Sequence, residues 1–383
     1  MLKAKLIAVT ALAVLVSAAM TDRPGAARSV NSERLVYVGT YTGEPSRGIY
    51  AFRFDDSSGG LTPLGLAAET PSPSFLTSSA NRRFVFAVNE LESFRGAASG
   101  SVTSFAADPV TAKLTEISVQ PTRGAGPCHL ALDRTGRYLA VANYAGGNFA
   151  LFPVGADGRL QPATNVVAGD ASRPDSMPAA RLGHMVEFDA RNRFLLAADK
   201  GLDRLLVYRF DASKGILTPN RTPSAALPPG SGPRHFAFHP NGTWLFAISE
   251  LASTITTFTW DQASGRLTAV GSVSTRPADV TFGTTAEIAV HPSGRVVYGS
   301  NRGHDSIVVF RVGEGGALTL VQYQSTRGQT PRHFAIDPNG RWLIAANQQS
   351  DTLAVFSIDR NTGRLSPVGP LTSVASPVNI LFM

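Results

Sequence analysis

The sequence predicts an all-β fold, a seven-bladed β-propeller with four antiparallel strands in each blade. Three observations predict it: a repeat of about 50 residues, a leucine marker that occurs seven times, and a last repeat divided between the two chain ends. The 383 residues include 36 Gly and 25 Pro, and 43% are hydrophobic, which is typical of a large core interrupted by many turns. No stretch keeps a helical period over the length that a helix needs.

The repeat consists of an apolar stretch, a tight turn and a second apolar stretch. PCHLALDRTGRYLAVANY, PRHFAFHPNGTWLFAISE and PRHFAIDPNGRWLIAANQ are three of its six complete copies. The turns are 46 to 56 residues apart, which is the period of a four-stranded blade rather than of a helical repeat. The equivalent turn positions are Ser79, Asp133, Asp189, His239, His291 and Asp337.

A leucine followed by a small polar residue and a short strand marks the outermost strand of each blade. Turns such as DASKG and DQASG precede it, and an aromatic-rich strand such as LLVYRFD precedes the turn. The seven markers are Leu61, Leu114, Leu160, Leu217, Leu267, Leu318 and Leu365. Seven markers predict seven blades.

The seventh repeat is split between the ends of the chain. The terminal PVNILFM matches PRHFAID, and RLVYVGTY near the start matches RWLIAANQ. One blade is therefore expected to be closed by N- and C-terminal strands. A two-sheet sandwich array would explain neither the number of copies nor this split.

The first 27 residues are expected to be a signal peptide and flexible leader. Lys3 and Lys5 precede an apolar run over 6–16 and small residues at 17–19, so that cleavage after Ala19 or after Ala27 fits an export signal. The apolar run is too short to span a bilayer. Residues 28–383 should then form one propeller domain, periplasmic or secreted, with no membrane anchor after cleavage.

The charge of the chain is positive but diffuse. The formal net charge of +7 falls to about +5 without the leader, and no cluster of Lys and Arg stands out. Nucleic acid is therefore not an expected partner, since its binders concentrate basic residues in a patch. Small anions are attracted by such an excess of positive charge. A closed ring leaves no free sheet edge that needs a partner strand, which favours a monomer.

The propeller geometry predicts a polar ring at one end of the central channel. Each innermost strand lines the channel, and its start lies beside the end of the next, antiparallel strand. The first register reads Phe75, His129, His184, His235, Glu287, His333 and Asn379, and the second reads Glu90, Tyr144, Lys200, Glu250, Arg302, Gln348 and Tyr41. Hydration of the channel is one explanation of this polarity. The opposite charges in the two registers, together with Arg234 and Arg332, instead favour a channel mouth that binds a small polar anion.

Other chemistries find little support in the sequence. No GxSxG elbow, HExxH pair or GxxxxGK[ST] loop is present, and no cofactor is expected. A cation held by Glu250, Glu287 and neighbouring Asn residues stays open, because hard cations accept carboxylate and amide oxygens. The single Cys128 cannot form an internal disulfide, and its neighbours recur elsewhere without Cys, which disfavours a thiol nucleophile.

Three segments carry a resemblance to a known family. GAGPCHLALDRTGRYLAVANYAGGNFALFPV, GPRHFAFHPNGTWLFAISELASTITTF and AEIAVHPSGRVVYGSNRGHDSIVVFRV resemble the seven-bladed lactonase family, which groups bacterial 6-phosphogluconolactonase with the fungal carboxymuconate-lactonizing enzyme. The similarity covers essentially the whole chain after the leader. It implies a propeller that acts on a small lactone.

The resemblance also implies a catalytic cluster of one His, two Arg and one Glu, which falls on His184, Arg234, Glu250 and Arg302. His184 or Glu250 would transfer a proton, and the two arginines would hold the acidic group of the substrate. The other ring residues are expected to bind substrate: His129, His235, His333, Glu287, Tyr144 and Lys200. The family often has Pro-His-x-His before this site, whereas this chain reads AARLGHMV, so Arg181 could replace a missing group and the substrate stays open.

Three functions follow from these patterns. The first is a hydrolase that opens a sugar-type or acidic lactone, 6-phosphogluconolactonase-like but with a different lactone, because phosphogluconolactone is cytosolic and this chain carries an export signal. The second is a muconate-type lactonizing isomerase. The third is a non-catalytic exported propeller that binds a ligand or partner through its rim.

Overall fold

The computed structural model describes residues 33–168 and 181–383, so the predicted leader lies outside the described residues. Seven four-stranded antiparallel sheets follow one another in this part of the chain. The predicted seven-bladed propeller is therefore confirmed. None of the helices in the described ranges has the length and apolar character to cross a bilayer.

The strands are given blade by blade, from the channel outwards. The blade that joins the chain ends consists of β28 (Pro377–Phe382), β1 (Glu33–Thr40), β2 (Gly48–Asp55) and β3 (Leu61–Glu69). The next three blades contain β4 (Phe75–Ser78), β5 (Phe84–Asn89), β6 (Ser101–Ala107) and β7 (Leu114–Pro121); β8 (Pro127–Leu132), β9 (Tyr138–Asn143), β10 (Asn148–Pro153) and β11 (Asn165–Ala168); and β12 (Gly183–Phe188), β13 (Phe194–Asp199), β14 (Arg204–Asp211) and β15 (Ile216–Ala226). The last three contain β16 (Pro233–Phe238), β17 (Trp244–Ser249), β18 (Thr254–Asp261) and β19 (Arg266–Ser274); β20 (Thr284–Val290), β21 (Val296–Arg302), β22 (Ser306–Val312) and β23 (Leu318–Ser325); and β24 (Pro331–Ile336), β25 (Trp342–Asn347), β26 (Thr352–Ile358) and β27 (Leu365–Ser373). A 3-10 turn, Glu314–Gly316, precedes β23.

The ring is closed by pairing of the two ends of the described chain. β28 lies antiparallel to β1, with Val36 opposite Phe382 and Val38 opposite Ile380. Residues from β1, β2 and β28 pack with β25 and β26 of the neighbouring blade in one buried apolar cluster that includes Ile380 and Trp342. The split repeat thus forms one blade, as predicted.

The hydrophobic core lies between blades. Phe149 and Leu151 of one blade pack with Val186 and Phe188 of the next, and the other apolar clusters likewise join adjacent sheets. Because both faces of each middle strand are covered, β5 is buried along its whole length. Each blade is stabilised by both neighbours, which ties stability to closure of the ring.

The turns between the first and second strands use two kinds of side chain for the same purpose. The Asp337 carboxylate accepts hydrogen bonds from the backbone N–H groups of Arg341 and Trp342, at 2.6 and 2.7 Å. His291 occupies the equivalent turn; its Nδ1 accepts from the N–H of Ser293 at 3.1 Å, and its Nε2 donates to the Gly340 carbonyl of the next blade at 2.8 Å. His291 therefore has a structural role at the end of the channel opposite the predicted ring.

Six of the leucine markers lie at the start of an outermost strand, and Leu160 differs. It forms an isolated bridge with Val154, and the outermost strand β11 begins only at Asn165. Pro162 intervenes and has no backbone N–H to donate to the ladder, which interrupts strand pairing at this point. The marker identifies the blade correctly but misplaces its last strand.

Ring closure gives the first prediction. Ile380→Ala removes buried apolar contacts at the β28–β1 junction and should lower the free energy of unfolding by about 2–5 kcal/mol, measured by urea unfolding. Val270→Ala, on the outer strand β19, removes a half-exposed side chain; it is the control and should have a much smaller effect, about 0.5 kcal/mol or less. Equal effects of the two substitutions would contradict the importance of the junction.

Candidate active site

We call the channel opening at which the inner strands begin the mouth, and the other end the lower opening. A β-bulge lies at the start of six of the seven inner strands. In β16, for example, Pro233 lies opposite Ser249 and His235 opposite Ile248, so Arg234 is an extra residue. The extra residues elsewhere are Cys128, His184, Arg332 and Val378, while Ala286 and Glu287 share a bulge in β20.

The bulges direct consecutive side chains towards the same space. In a regular strand, Arg234 and His235 would point to opposite faces. Here both line one small space at the mouth, and so do Arg332 and His333. Bulges re-aim side chains in this way at many active sites. The mouth therefore has a bulge layer and an inner layer of side chains.

His184 lies one position earlier than the predicted register. Gly183 pairs with Asp199 and Met185 with Ala198, so His184 is the bulge residue, equivalent to Cys128 and Arg234. Met185 takes the inner-layer position that His129, His235 and His333 occupy in other blades, and its Sδ accepts from the N–H of Phe236 at 3.1 Å. The prediction that His184 shares their register is wrong, and the bulge is the physical reason.

A backbone hydrogen bond holds the residue at the end of a second strand next to the start of the inner strand of the same blade. Gly232 has a left-handed φ of 61° just before β16, and its carbonyl accepts from the N–H of Glu250 at 2.7 Å. Asp203 holds this turn by accepting from the N–H of Gly232 at 2.7 Å. The carbonyl of Gly126 accepts from the N–H of Tyr144 in the same way, at 2.8 Å. Glu250 and Arg234 therefore enter the mouth side by side.

Glu250 is the hub of a charged cluster, which we define as Glu250, Arg234, Arg302, Lys200 and His184. Its Oε1 lies 2.6 Å from Lys200 Nζ and 3.2 Å from Arg302 Nη2, and its Oε2 lies 3.2 Å from Arg234 Nη1. Burial raises the pKa of Glu250, but the three cations outweigh burial and lower that pKa to about 2. Glu250 is thus an anion at neutral pH.

Arg234 connects Glu250 with His184. Its Nη1 also contacts His184 Nε2, and because a guanidinium only donates, this nitrogen of the imidazole is the acceptor. Arg234 Nε donates to the Ala286 carbonyl at 3.1 Å, which fixes the guanidinium. Burial and then the charge of Arg234 lower the pKa of His184 well below 6.5. His184 is therefore a neutral base beside a cation.

The four residues implied as catalytic are therefore brought together, and two of the expected binding residues join them. Lys200 Nζ lies 3.3 Å from the hydroxyl of Tyr144 and 5.5 Å from the centre of its ring. The Tyr144 ring stands edge-on to His184, with ring centres 5.4 Å apart. The backbone and Cβ of Arg181 lie next to Gly147, in the turn between β9 and β10, and the charge of Arg181 acts on Asp199.

Three further binding candidates form a separate group in the inner layer. Glu287 Oε2 lies 3.1 Å from His235 Nδ1 and 3.3 Å from His333 Nε2. His333 Nδ1 accepts from the Ile380 N–H at 3.2 Å, so its Nε2 carries the proton that it donates to Glu287. Burial raises the pKa of Glu287 and lowers that of both histidines, to about 4 for His333.

His129 borders a cavity outside the charged cluster. Its ring lies 4.0 Å from that of Phe75, and together with Phe75 and Glu287 it lines a cavity of about 980 Å³ that extends to the turns at the lower opening. The predicted ring thus divides in two. Tyr144 and Lys200 reach the charged cluster at the mouth, whereas His129 and Glu287 border the lower cavity.

Cys128 is a protonated thiol rather than a nucleophilic thiolate, although its Sγ lies 3.8 Å from His184 Nδ1. Burial raises the pKa of its thiol, whose Sγ lies 3.3 Å from the carbonyl of His184. Across the described residues, no three His, Cys, Asp or Glu side chains are grouped as metal ligands. The two carboxylates considered for a cation have other partners, since Glu250 contacts three cations and Glu287 contacts two histidines.

Comparisons with known proteins agree with this architecture. A family model described as "Lactonase, 7-bladed beta-propeller" matches residues 35–382. The 6-phosphogluconolactonase of Bacillus subtilis is 33% identical over 91% of this chain and 97% of its own length, and that of Pectobacterium carotovorum is 37% identical over 67% and 74%. The structure of a periplasmic gluconolactonase from Pseudomonas aeruginosa superposes with a TM-score of 0.85, with 34% identity and coverage of 92% and 99%.

Fold and site together define a propeller enzyme with a charged cluster at its channel mouth. The family match spans nearly all described residues, and the relatives are lactone-hydrolysing esterases by name. This chain belongs to the seven-bladed β-propeller lactonase family, a class of carboxylic-ester hydrolases.

The Glu250 hub gives the second prediction. Because its folded pKa of about 2 lies below the ordinary 4.5, its contribution to stability is present above pH 4.5 and is lost as pH falls towards 2. Glu250→Gln should therefore lower the free energy of unfolding by about 3 kcal/mol at pH 7 and by clearly less at pH 3, measured by urea unfolding. Glu116→Gln, on the exposed strand β7, should have an effect below about 0.5 kcal/mol at both pH values. A pH-independent loss in Glu250→Gln would contradict the role of the ion pairs.

Proposed function

We propose that this protein hydrolyses a small acidic or sugar-type lactone at the mouth of its channel. The observation that carries the proposal is the convergence of a neutral imidazole, two guanidinium groups and a buried carboxylate on one point. Ester hydrolysis needs a base for water and donors for the developing oxyanion, and this cluster offers both.

His184 is the group that accepts the proton of the attacking water. Glu250, with its pKa lowered to about 2, is too weak a base to do so efficiently near neutral pH. The lone pair on Nε2 of neutral His184 accepts the water proton in place of its hydrogen bond from Arg234 Nη1, while Glu250 and the Ala286 carbonyl keep the guanidinium in position. The proton that His184 takes up then passes to the leaving ring oxygen, which completes opening of the lactone to a hydroxy acid.

Arg234 and Arg302 hold the lactone carbonyl in this mechanism. Arg302 Nη2 donates to Glu250 and to the Thr285 carbonyl, at 3.2 and 2.8 Å, but its buried Nε has no partner among the described residues. The N–H groups of the two guanidinium groups that face the substrate are donors for the oxygen that becomes negative in the transition state. Glu250 keeps both guanidinium groups in place, and Lys200 shares its Oε1 with Arg302.

The charge of the mouth supports an acidic or polyhydroxy substrate. Lys200, Arg234 and Arg302 outnumber Glu250, so an anionic group gains attraction there. The space within the bulge layer is about 10 Å³, room for no more than a water molecule. A lactone therefore lies over the upper surface of these side chains rather than inside the channel.

We further propose that the protein works outside the cytoplasm, in the periplasm or as a secreted monomer. The basic and apolar start of the sequence supports this, and a gluconolactonase with a similar structure is described as periplasmic. Mass spectrometry of the exported protein should find a chain that begins at Met20 or Arg28. A chain of full length in the cytoplasm would contradict the proposal.

Hydrolysis is tested with purified mature protein by titrating the acid released from a panel that includes gluconolactone, 6-phosphogluconolactone and a muconate-type lactone. His184→Gln should lower kcat by about 10²- to 10⁴-fold, because the proton acceptor is lost. For the wild type, kcat/KM should stay level down to pH 6.5 and fall only at lower pH, because the pKa of His184 is depressed and the neutral form is the base.

His291→Asp is the matched control, since it places at the lower opening the carboxylate found in equivalent turns and should leave kcat unchanged. Glu250→Gln should abolish turnover through misplaced arginines. Full activity of His184→Gln would contradict the role assigned to it, and the absence of turnover of every lactone by the wild type would contradict the proposed function.

A further inference from the structure

A second polar cluster lies at the mouth outside the charged cluster described above. It consists of Arg332, Tyr41 and Glu90. Arg332 is the bulge residue of β24, equivalent to Arg234 of β16, whereas Tyr41 and Glu90 follow the second strands of two other blades. The seven-fold arrangement therefore places another guanidinium at the mouth in a position equivalent to that of Arg234.

The contacts of Arg332 differ from those of the other mouth cations. Its Nη2 donates to the hydroxyl of Tyr41 at 2.6 Å, and its guanidinium carbon lies 5.1 Å from the centre of the Tyr41 ring. The Tyr41 hydroxyl lies 3.0 Å from each carboxylate oxygen of Glu90. In the described part of the chain, no carboxylate oxygen lies within 4.0 Å of the Arg332 guanidinium.

Arg234, Arg302 and Lys200 all share Glu250, whereas Arg332 is positioned by a phenol. A guanidinium has five N–H donors, and among residues 33–168 and 181–383 one contact of Arg332 is made to a side-chain oxygen. Its charge and most of its donors therefore stay available for a ligand. A guanidinium fixed by stacking is also well suited to a carboxylate or phosphate, which it binds through two parallel hydrogen bonds.

Arg332 also lies close to the reacting groups. It lines the same small space as Arg234 and His235, and its positive charge contributes to lowering the pKa of His184 and of Arg302. A small molecule whose carbonyl contacts Arg302 therefore extends across the mouth towards Arg332. The two arginines would hold the opposite ends of one ligand.

We propose that Arg332, positioned by Tyr41 and Glu90, is the specificity-determining residue that binds an anionic substituent, a carboxylate or phosphate, on the substrate lactone. This inference rests on the proposed lactone hydrolysis. It deepens that function, since it assigns the charged substituent to a residue separate from those that act on the lactone carbonyl. The charged cluster then contacts the uncharged part of the lactone and its ester group.

The experiment compares KM for 6-phosphogluconolactone with KM for uncharged gluconolactone in wild type and variants. In Arg332→Gln, the ratio of the anionic to the neutral KM should rise by about tenfold or more, because a hydrogen-bonded charge pair is lost. Arg332→Lys keeps the charge without the planar fork and should give an intermediate ratio. Tyr41→Phe should raise the ratio by about two- to tenfold, because the guanidinium loses the hydroxyl that positions it.

Arg295→Gln, at the lower opening, is the control cation and should leave the ratio unchanged. An unchanged ratio in Arg332→Gln, with both lactones still hydrolysed, would overturn the proposal for Arg332 while the hydrolase function stands. If wild type hydrolyses neither of these two lactones, calorimetry with inorganic phosphate tests the site directly. Binding at least about tenfold weaker in Arg332→Gln would then support the anion site, and equal binding would overturn it.

Discussion

The site depends on a β-bulge at the start of nearly every channel-lining strand. At each bulge, the inner strand has one residue more than its partner strand can pair with. A regular strand alternates its side chains between two faces, which would turn either Arg234 or His235 away from the channel. The bulge allows both to face it. The preceding carbonyl, at Gly232 in β16, simultaneously holds the residue at the end of the second strand, Glu250. The same local irregularity, repeated around the ring, produces a mouth in which residues from different blades meet.

Electrostatics then decides what this mouth can do. A buried carboxylate would ordinarily resist ionisation, but Glu250 is held as an anion by three cations and in return fixes two guanidinium groups. Burial and the charge of Arg234 lower the pKa of the neighbouring His184 imidazole and keep it neutral. One site thus contains a neutral base and preorganised cations within contact distance. Such preorganisation stabilises charge that develops on a carbonyl oxygen without the reorientation that water would need.

Most of the fold could be predicted from the sequence because the propeller repeats its local chemistry. A carboxylate at Asp337 or an imidazole at His291 stabilises the same turn, and an apolar terminal strand pairs with the first described strand. The position of the outermost strand after Leu160 was less predictable, because Pro162 interrupts pairing that the repeat would otherwise impose. The register of His184 was predicted wrongly, since a bulge adds a residue without leaving a mark in the apolar pattern.

The sequence by itself determined the number of blades, the split last blade and the set of polar residues around the mouth, because each depends on local patterns that recur along the chain. Only the tertiary structure decided which of those residues meet. It divided the expected ring into a charged cluster around Glu250 and an inner group around Glu287, and it positioned Arg332 against Tyr41. These contacts join blades separated by up to 291 residues in sequence. No local pattern encodes such distances; closure of the ring and the bulged backbone set them.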